Sequence, residues 1–99
     1  MLHPLLFTPE AEQTFEAISQ QLLHQWDFQY VKKFERRITH ALGIISKTPH
    51  LYPLISKNST VRKCIVHKNC SIFYTIEQHA ITVICFWDNR QEPLFEINK

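Results

Sequence analysis

The chain has 99 residues and a single glycine, Gly43. Its turns must therefore be built from Asn, Asp, His, Ser and Pro, and a glycine-rich phosphate loop is excluded. There is no run of 18 apolar residues, so no segment is expected to span a membrane. The opening MLHPLLFTPEAEQ lacks a basic n-region and a cleavable apolar core, so a secretory signal is not expected. The three cysteines are odd in number, which argues against a disulfide framework and for a reducing cytoplasm. The net charge is only +2, too small to announce nucleic-acid binding by itself.

The composition, 44% hydrophobic and 20% charged, is that of a globular protein and excludes disorder. This length is one domain, residues 1–99, able to bury roughly 60–65% of the surface its unfolded form exposes. Such a core suffices, marginally, for folding without metal or disulfides, and no cofactor is expected. The basic residues form two groups: Lys32, Lys33, Arg36 and Arg37, then Arg62, Lys63 and Lys68.

Leu5, Leu6 and Phe7 read as a first short strand. Thr8-Pro9 is a helix start, since Thr caps well and Pro is tolerated at the first helical position. Glu10 and Glu12 suit the positive end of the helix dipole. Ala11, Phe15, Ile18 and Leu22 then recur on one helical face, predicting a helix from about Pro9 to about Gln25. Asp27 reads as the next N-cap. Val31, Phe34, Ile38, Ala41, Leu42 and Ile45 make a second apolar stripe, with Lys47 in the last turn and Pro49 as the stop. The short link at Trp26-Asp27 predicts an antiparallel hairpin. Residues 49–60 read as a loop anchored by Leu51, Tyr52 and Leu54.

From Val61 onward the pattern is three strands with tight turns. With Lys68-Asn69 and Gln78-His79 as two-residue loops, Ile65, Ile72 and Cys85 lie side by side, as do Lys63, Tyr74 and Val83. These sit on the more apolar face, expected to carry the helices. Arg62, Cys64, Phe73, Ile84, Phe86 and Asp88 fall on the opposite, mixed face, the expected working surface. A slip of one residue would exchange the faces. The expected fold class is α+β: a two-helix antiparallel hairpin packed on a small antiparallel sheet.

Several constellations invite chemistry. Cys64, His67 and Cys70 have C-x2-H-x2-C spacing, but this register points Cys64 away from the other two, and tetrahedral zinc needs convergent ligands. The cysteines then read as small apolar strand residues. No G-x-S-x-G elbow frames a nucleophile. The cluster at 32–37 is either the solvated face of the second helix or a steering surface for an acidic partner. Phe86 and Trp87 are either core aromatics or stacking platforms for bases. Arg62 and Arg90 carry guanidinium groups suited to phosphates and carboxylates. They are equally readable as surface ion pairs with Asp88, Glu92 or Glu77, worth at most about 1 kcal/mol each.

V-R-K at 61–63, I-F-Y at 72–74, F-W-D-N-R-Q-E-P at 86–93 and I-I-S-K-T-P at 44–49 occur in this order across nearly the whole chain. In this the chain resembles the RelE/ParE family of bacterial toxins. The resemblance implies a short strand, a helical hairpin and a three- or four-stranded antiparallel sheet. It implies a toxin of a two-protein module, neutralised by a cognate antitoxin that wraps it. It offers two targets, DNA gyrase, inhibited by binding in ParE-like members, or messenger RNA cleaved on the ribosome by RelE-like members; the remaining alternative is a non-toxic interaction domain of the same fold.

The ribonucleases of that family use Lys and Arg residues on the sheet and a Tyr near the C-terminus, so that a 2′-hydroxyl attacks the adjacent phosphate. Here the first basic position of the second strand corresponds to Arg62 and the next is Cys64. The Arg ahead of I-F-Y is Ser71, and the Arg after the last strand corresponds to Arg90. The tail LFEINK offers Phe95 where the Tyr would stand. This favours gyrase inhibition without catalysis, leaving Arg62 and Arg90 as the catalytic candidates if the chain is a ribonuclease. Arg62, Arg90 and exposed Phe73, Ile84 and Phe86 are the expected contacts for antitoxin or target.

Overall fold

The computed structural model describes residues 2–68 and 70–90. Its order is β1 (Leu5–Phe7), α1 (Pro9–Gln25), α2 (Phe28–Lys47), β2 (Val61–His67), β3 (Cys70–Glu77) and β4 (Ala80–Asp88). Both helix starts follow from their capping residues. The Thr8 hydroxyl accepts the Ala11 amide with Pro9 behind it, and the Asp27 carboxylate accepts the Tyr30 amide at 2.9 Å. The apolar stripes meet the sheet in one core that includes Ala11, Leu22, Val31, Phe34, Ile38 and Ile45 from the hairpin.

The sheet order is β1-β4-β3-β2. β2, β3 and β4 form the expected antiparallel meander, while β1 adds parallel to β4, pairing Leu5 with Ile81 and Phe7 with Val83. The sheet is therefore mixed. The parallel edge follows from the connections: α1, α2 and the loop 48–60 carry the chain from β1 to β2 at the far edge, and the antiparallel meander then brings β4 alongside β1.

Both flanking pairs hold the expected two-residue connections: His67 pairs with Cys70, and Glu77 with Ala80. Asn69 lies outside the described residues. At the second connection Gln78 adopts a positive φ of 44°, a conformation that ordinarily falls to Gly or Asn.

The registers differ from expectation, and the cause is two β-bulges. On β2 the extra residue is Val66, so that Cys64, not Ile65, stands opposite Ile72, and Arg62, not Lys63, opposite Tyr74. On β4 the extra residue is Ile84, so that Val83 faces Tyr74 but Cys85 faces Phe73 and Phe86 faces Ile72. Each bulge turns over part of its strand. Arg62, Cys64, Phe86 and Asp88 consequently belong to the helix side with Cys70, Ile72 and Tyr74. Lys63, Phe73 and Cys85 share the opposite side, where the Lys63 ammonium lies 5.8 Å from the Phe73 ring centroid.

The β4 bulge is held by α1. The Thr8 hydroxyl donates to the Ile84 carbonyl at 2.6 Å, and the Thr14 hydroxyl accepts the Phe86 amide at 3.0 Å. Backbone groups that the bulge withdraws from the ladder are thereby satisfied. Among the described residues no helix is long and apolar enough to cross a membrane.

Candidate functional site

The expected mixed working face does not exist as a unit. Phe86 is 3% exposed and packs its ring 5.2 Å from Phe15 under the hairpin, so it is core rather than an exposed anchor. Phe73 is also buried, at 3%, on the other side of the sheet, and Ile84 is half-buried at the bulge. The bulges separate the three residues that simple alternation had aligned. Phe95, Glu92 and the rest of 91–99 lie outside the described residues.

Arg62 is not a free cation. Its Nη1 donates to the Tyr52 carbonyl at 2.6 Å and the His50 carbonyl at 3.4 Å. Beside it the fully buried Tyr74 hydroxyl donates to the Pro49 carbonyl at 2.7 Å. The two side chains pin the loop between α2 and β2. Burial pushes the Tyr74 phenol up to about 12, which makes it a fixed donor rather than a proton carrier.

Arg90 forms a forked pair with Asp88, Nη2 to Oδ2 at 2.6 Å and Nε to Oδ1 at 2.9 Å. The Arg90 amide also donates to Asp88 Oδ1 at 2.9 Å. These bonds hold the Asp88 carboxyl below its usual range. Ser71, where the resemblance expects an arginine, is fully buried and donates to Asn89 Oδ1 at 2.9 Å. Asn89 in turn donates to the His67 carbonyl at 3.4 Å, tying β4 to the β2–β3 connection.

Arg90 opens onto a cavity of about 100 Å³ beneath the helical hairpin. Ile18, Leu22, Phe34 and Cys70 supply apolar walls, while Tyr30, Lys33, Arg37, His67 and Asp88 join Arg90 as polar or charged lining. Burial, then the Arg37 and Lys68 charges, lowers the His67 pKa, so its imidazole is neutral at pH 7. Burial pushes the Cys70 thiol up to about 12, with the Asp88 charge acting in the same direction, so no thiolate forms there.

Arg62 and Arg90 are thus placed apart, one in β2 bonded to the loop between α2 and β2 and one at this cavity. Lys33 and Arg37 were read as part of the charged cluster at 32–37 and His67 as a zinc candidate set aside; none of them was joined to Arg90. Tyr30, Lys33, Phe34 and Arg37 have the spacing of one helical face, and the expected register already put His67 with Cys70 on the face that carries the helices, so both signals were available; the Val66 bulge leaves that placement of His67 unchanged. The argument that kept Cys64 away from Cys70 also fails, because Val66 restores both to the helix side. All three cysteines are buried free thiols, and no group of His, Cys, Asp or Glu among the described residues is arranged to hold a metal ion.

The architecture is shared with known toxins. A chain of the chromosomal ParDE system of P. aeruginosa matches at a TM-score of 0.75 with 13% identity, covering 88% of this chain and 96% of that one. A chain of the E. coli DinJ-YafQ toxin-antitoxin complex matches at 0.62 with 7% identity, covering 91% and 96%. YoeB from Staphylococcus aureus matches at 0.57 with 19% identity, covering 88% and 97%. The two helices and four-stranded mixed sheet are thus the RelE/ParE-like toxin fold. The family model of the ParE toxin of type II toxin-antitoxin systems, parDE, matches residues 5–93, and the chain belongs to that family. No curated protein sequence matches it.

Proposed function

We propose that this type II toxin acts as a single domain in the cytoplasm and inhibits DNA gyrase by binding, without catalysis, until a cognate antitoxin neutralises it. The observation carrying this reading is the commitment of its candidate catalytic groups. Arg62 is spent on loop carbonyls and Arg90 on Asp88, while Cys64 and Ser71 are buried at positions where a ribonuclease of this fold would place cations. Removing one preorganised charge stabiliser costs about 100- to 1000-fold in rate, so a site lacking several retains little cleavage. Membership in the ParE family supports the same target. The three buried free thiols suit a reducing compartment.

One observation favours the second reading, ribosome-dependent cleavage of messenger RNA. His67 is held neutral at a cavity that also receives Lys33, Arg37 and Arg90, a base beside three cations. Two assays on the purified toxin separate the readings. Inhibition of gyrase supercoiling, with intact message in a translating extract, is the expected result. Codon-specific cleavage that disappears in His67→Gln and Arg90→Ala would replace gyrase by the ribosome as target. Induced expression should arrest growth, and co-expression of the neighbouring reading frame should relieve the arrest.

A further inference from the structure

β2 is the outer strand of the sheet, and its outer edge is only half covered. The Ile55 amide donates to the Val61 carbonyl at 2.9 Å and the Lys63 amide to the Pro53 carbonyl at 3.1 Å, so the segment 53–55 shields the first half of the strand. These bonds fix which backbone groups point outward: those of Val61 and Lys63 and, by the two-residue period, Ile65. At Ile65 the shield has ended. The residue is 65% exposed, and its outward amide and carbonyl have no partner among the described residues.

Beside this open edge runs a groove of about 410 Å³ between α2 and β2. Arg36, Arg37 and His40 line it from the helix, with Ile44, Ile65 and Val66 among its apolar lining and no carboxylate among its described lining residues. An open strand edge seeks backbone donors and acceptors in extended conformation. The adjacent guanidinium groups of Arg36 and Arg37 seek carboxylates, His40 one turn on adds a polar side chain, and the apolar lining seeks alternate apolar side chains.

We propose that this groove receives an extended acidic segment of the neutralising partner, which adds to the outer edge of β2 at Ile65 and sets its carboxylates against Arg36, Arg37 and His40. The inference rests on the toxin–antitoxin reading for the source of the segment, and it moves the docking surface away from Phe73, Ile84 and Phe86. The bulge at Val66 has a part in this: it ends the regular ladder just past Ile65 and limits the addition to a short stretch.

The test uses the full-length toxin with the protein encoded beside it. Amide hydrogen exchange should show Ile65 protected in the complex and exchanging freely in the toxin alone. Ile65→Pro removes that amide at an edge position where proline is tolerated, and Arg36→Glu with His40→Glu reverses the groove charge on an exposed helix face. Each should weaken the complex at least tenfold, with melting temperature within a few degrees of the parent, and affinity should fall as salt rises. A complex of parental affinity in both variants, with Ile65 still exchanging, overturns the docking site and leaves the toxin reading standing. Absence of any complex overturns both. A toxin dimer dissolved by Ile65→Pro, or DNA competing for the groove, would assign it to another occupant and also reject the proposal.

Discussion

Thr14, on the second turn of α1, accepts the backbone amide of Phe86 through its hydroxyl at 3.0 Å while donating to the Glu10 carbonyl at 2.7 Å. Helix and sheet are thus joined by a side chain that substitutes for a missing ladder bond. Thr14→Val keeps the shape and removes the acceptor, leaving a poorly hydrated amide unpaired. The expected loss is about 1–3 kcal/mol. Urea denaturation would measure it; an unchanged midpoint would show that the bulge does not depend on α1.

The only glycine is in a place that does not need it, and the turn that would welcome one has none. Gly43 lies within α2, and a Cβ added there would meet nothing within 4 Å. Gly43→Ala is therefore expected to stabilise by about 0.5–1 kcal/mol through helix propensity. Gln78, with φ 44°, occupies the left-handed region. Gln78→Gly should relieve strain of about 1 kcal/mol. Both changes should raise the melting temperature, and a fall in either variant would refute the corresponding argument.

Ser19 Oγ is buried and has no hydrogen-bond partner among the described residues. Ser19→Ala removes an uncompensated hydroxyl from α1 and adds helix propensity. A gain of about 1 kcal/mol is expected. Destabilisation in a thermal melt would mean that the hydroxyl has an ordered water as its partner.

Stability should decline in two stages as pH falls. The His67 pKa is lowered below its ordinary 6.5, chiefly by burial, so the unfolded chain takes up that proton first and stability is lost below about that pH. The Asp88 pKa is lowered below its ordinary 3.8, chiefly by its hydrogen bonds to Arg90, so its contribution is present above that value and lost as pH falls through the folded value. His67→Gln should flatten the first stage and Asp88→Asn the second. Urea midpoints measured from pH 7 to pH 3 would show both, and identical curves for all three proteins would remove these groups as the cause.

Most of the fold was legible because its signals are local. Thr8-Pro9 and Asp27 mark the helix starts, Pro49 a stop, and Gln78-His79 a turn. The register was not, because Val66 and Ile84 look like ordinary strand residues; only the hydrogen bonds from Thr8 and Thr14 show why β4 makes room for an extra residue. The candidate site suffered most, since shifting one position exchanged Arg62 and Phe86 between faces. The Arg90–Asp88 pair was among the readings the sequence offered, because the two residues lie two positions apart at the end of the last strand, where no register error reaches them.

The parallel pairing of β1 with β4 has a consequence for how the molecule comes into being. Thr8 and Ile84, joined by a hydrogen bond, are 76 positions apart in sequence. Such closures are slow, because loop entropy is lost before the contact rewards it. During synthesis the helical hairpin and the bonds between the segment 53–55 and the start of β2 can form early, but β1 has no strand beside it until almost the whole chain has been made. A chain terminated before Ala80 has neither β4 nor a seat for its own N-terminus. The toxin is therefore all or nothing at the level of translation: interrupted synthesis yields fragments with an open hairpin and no assembled toxin fold.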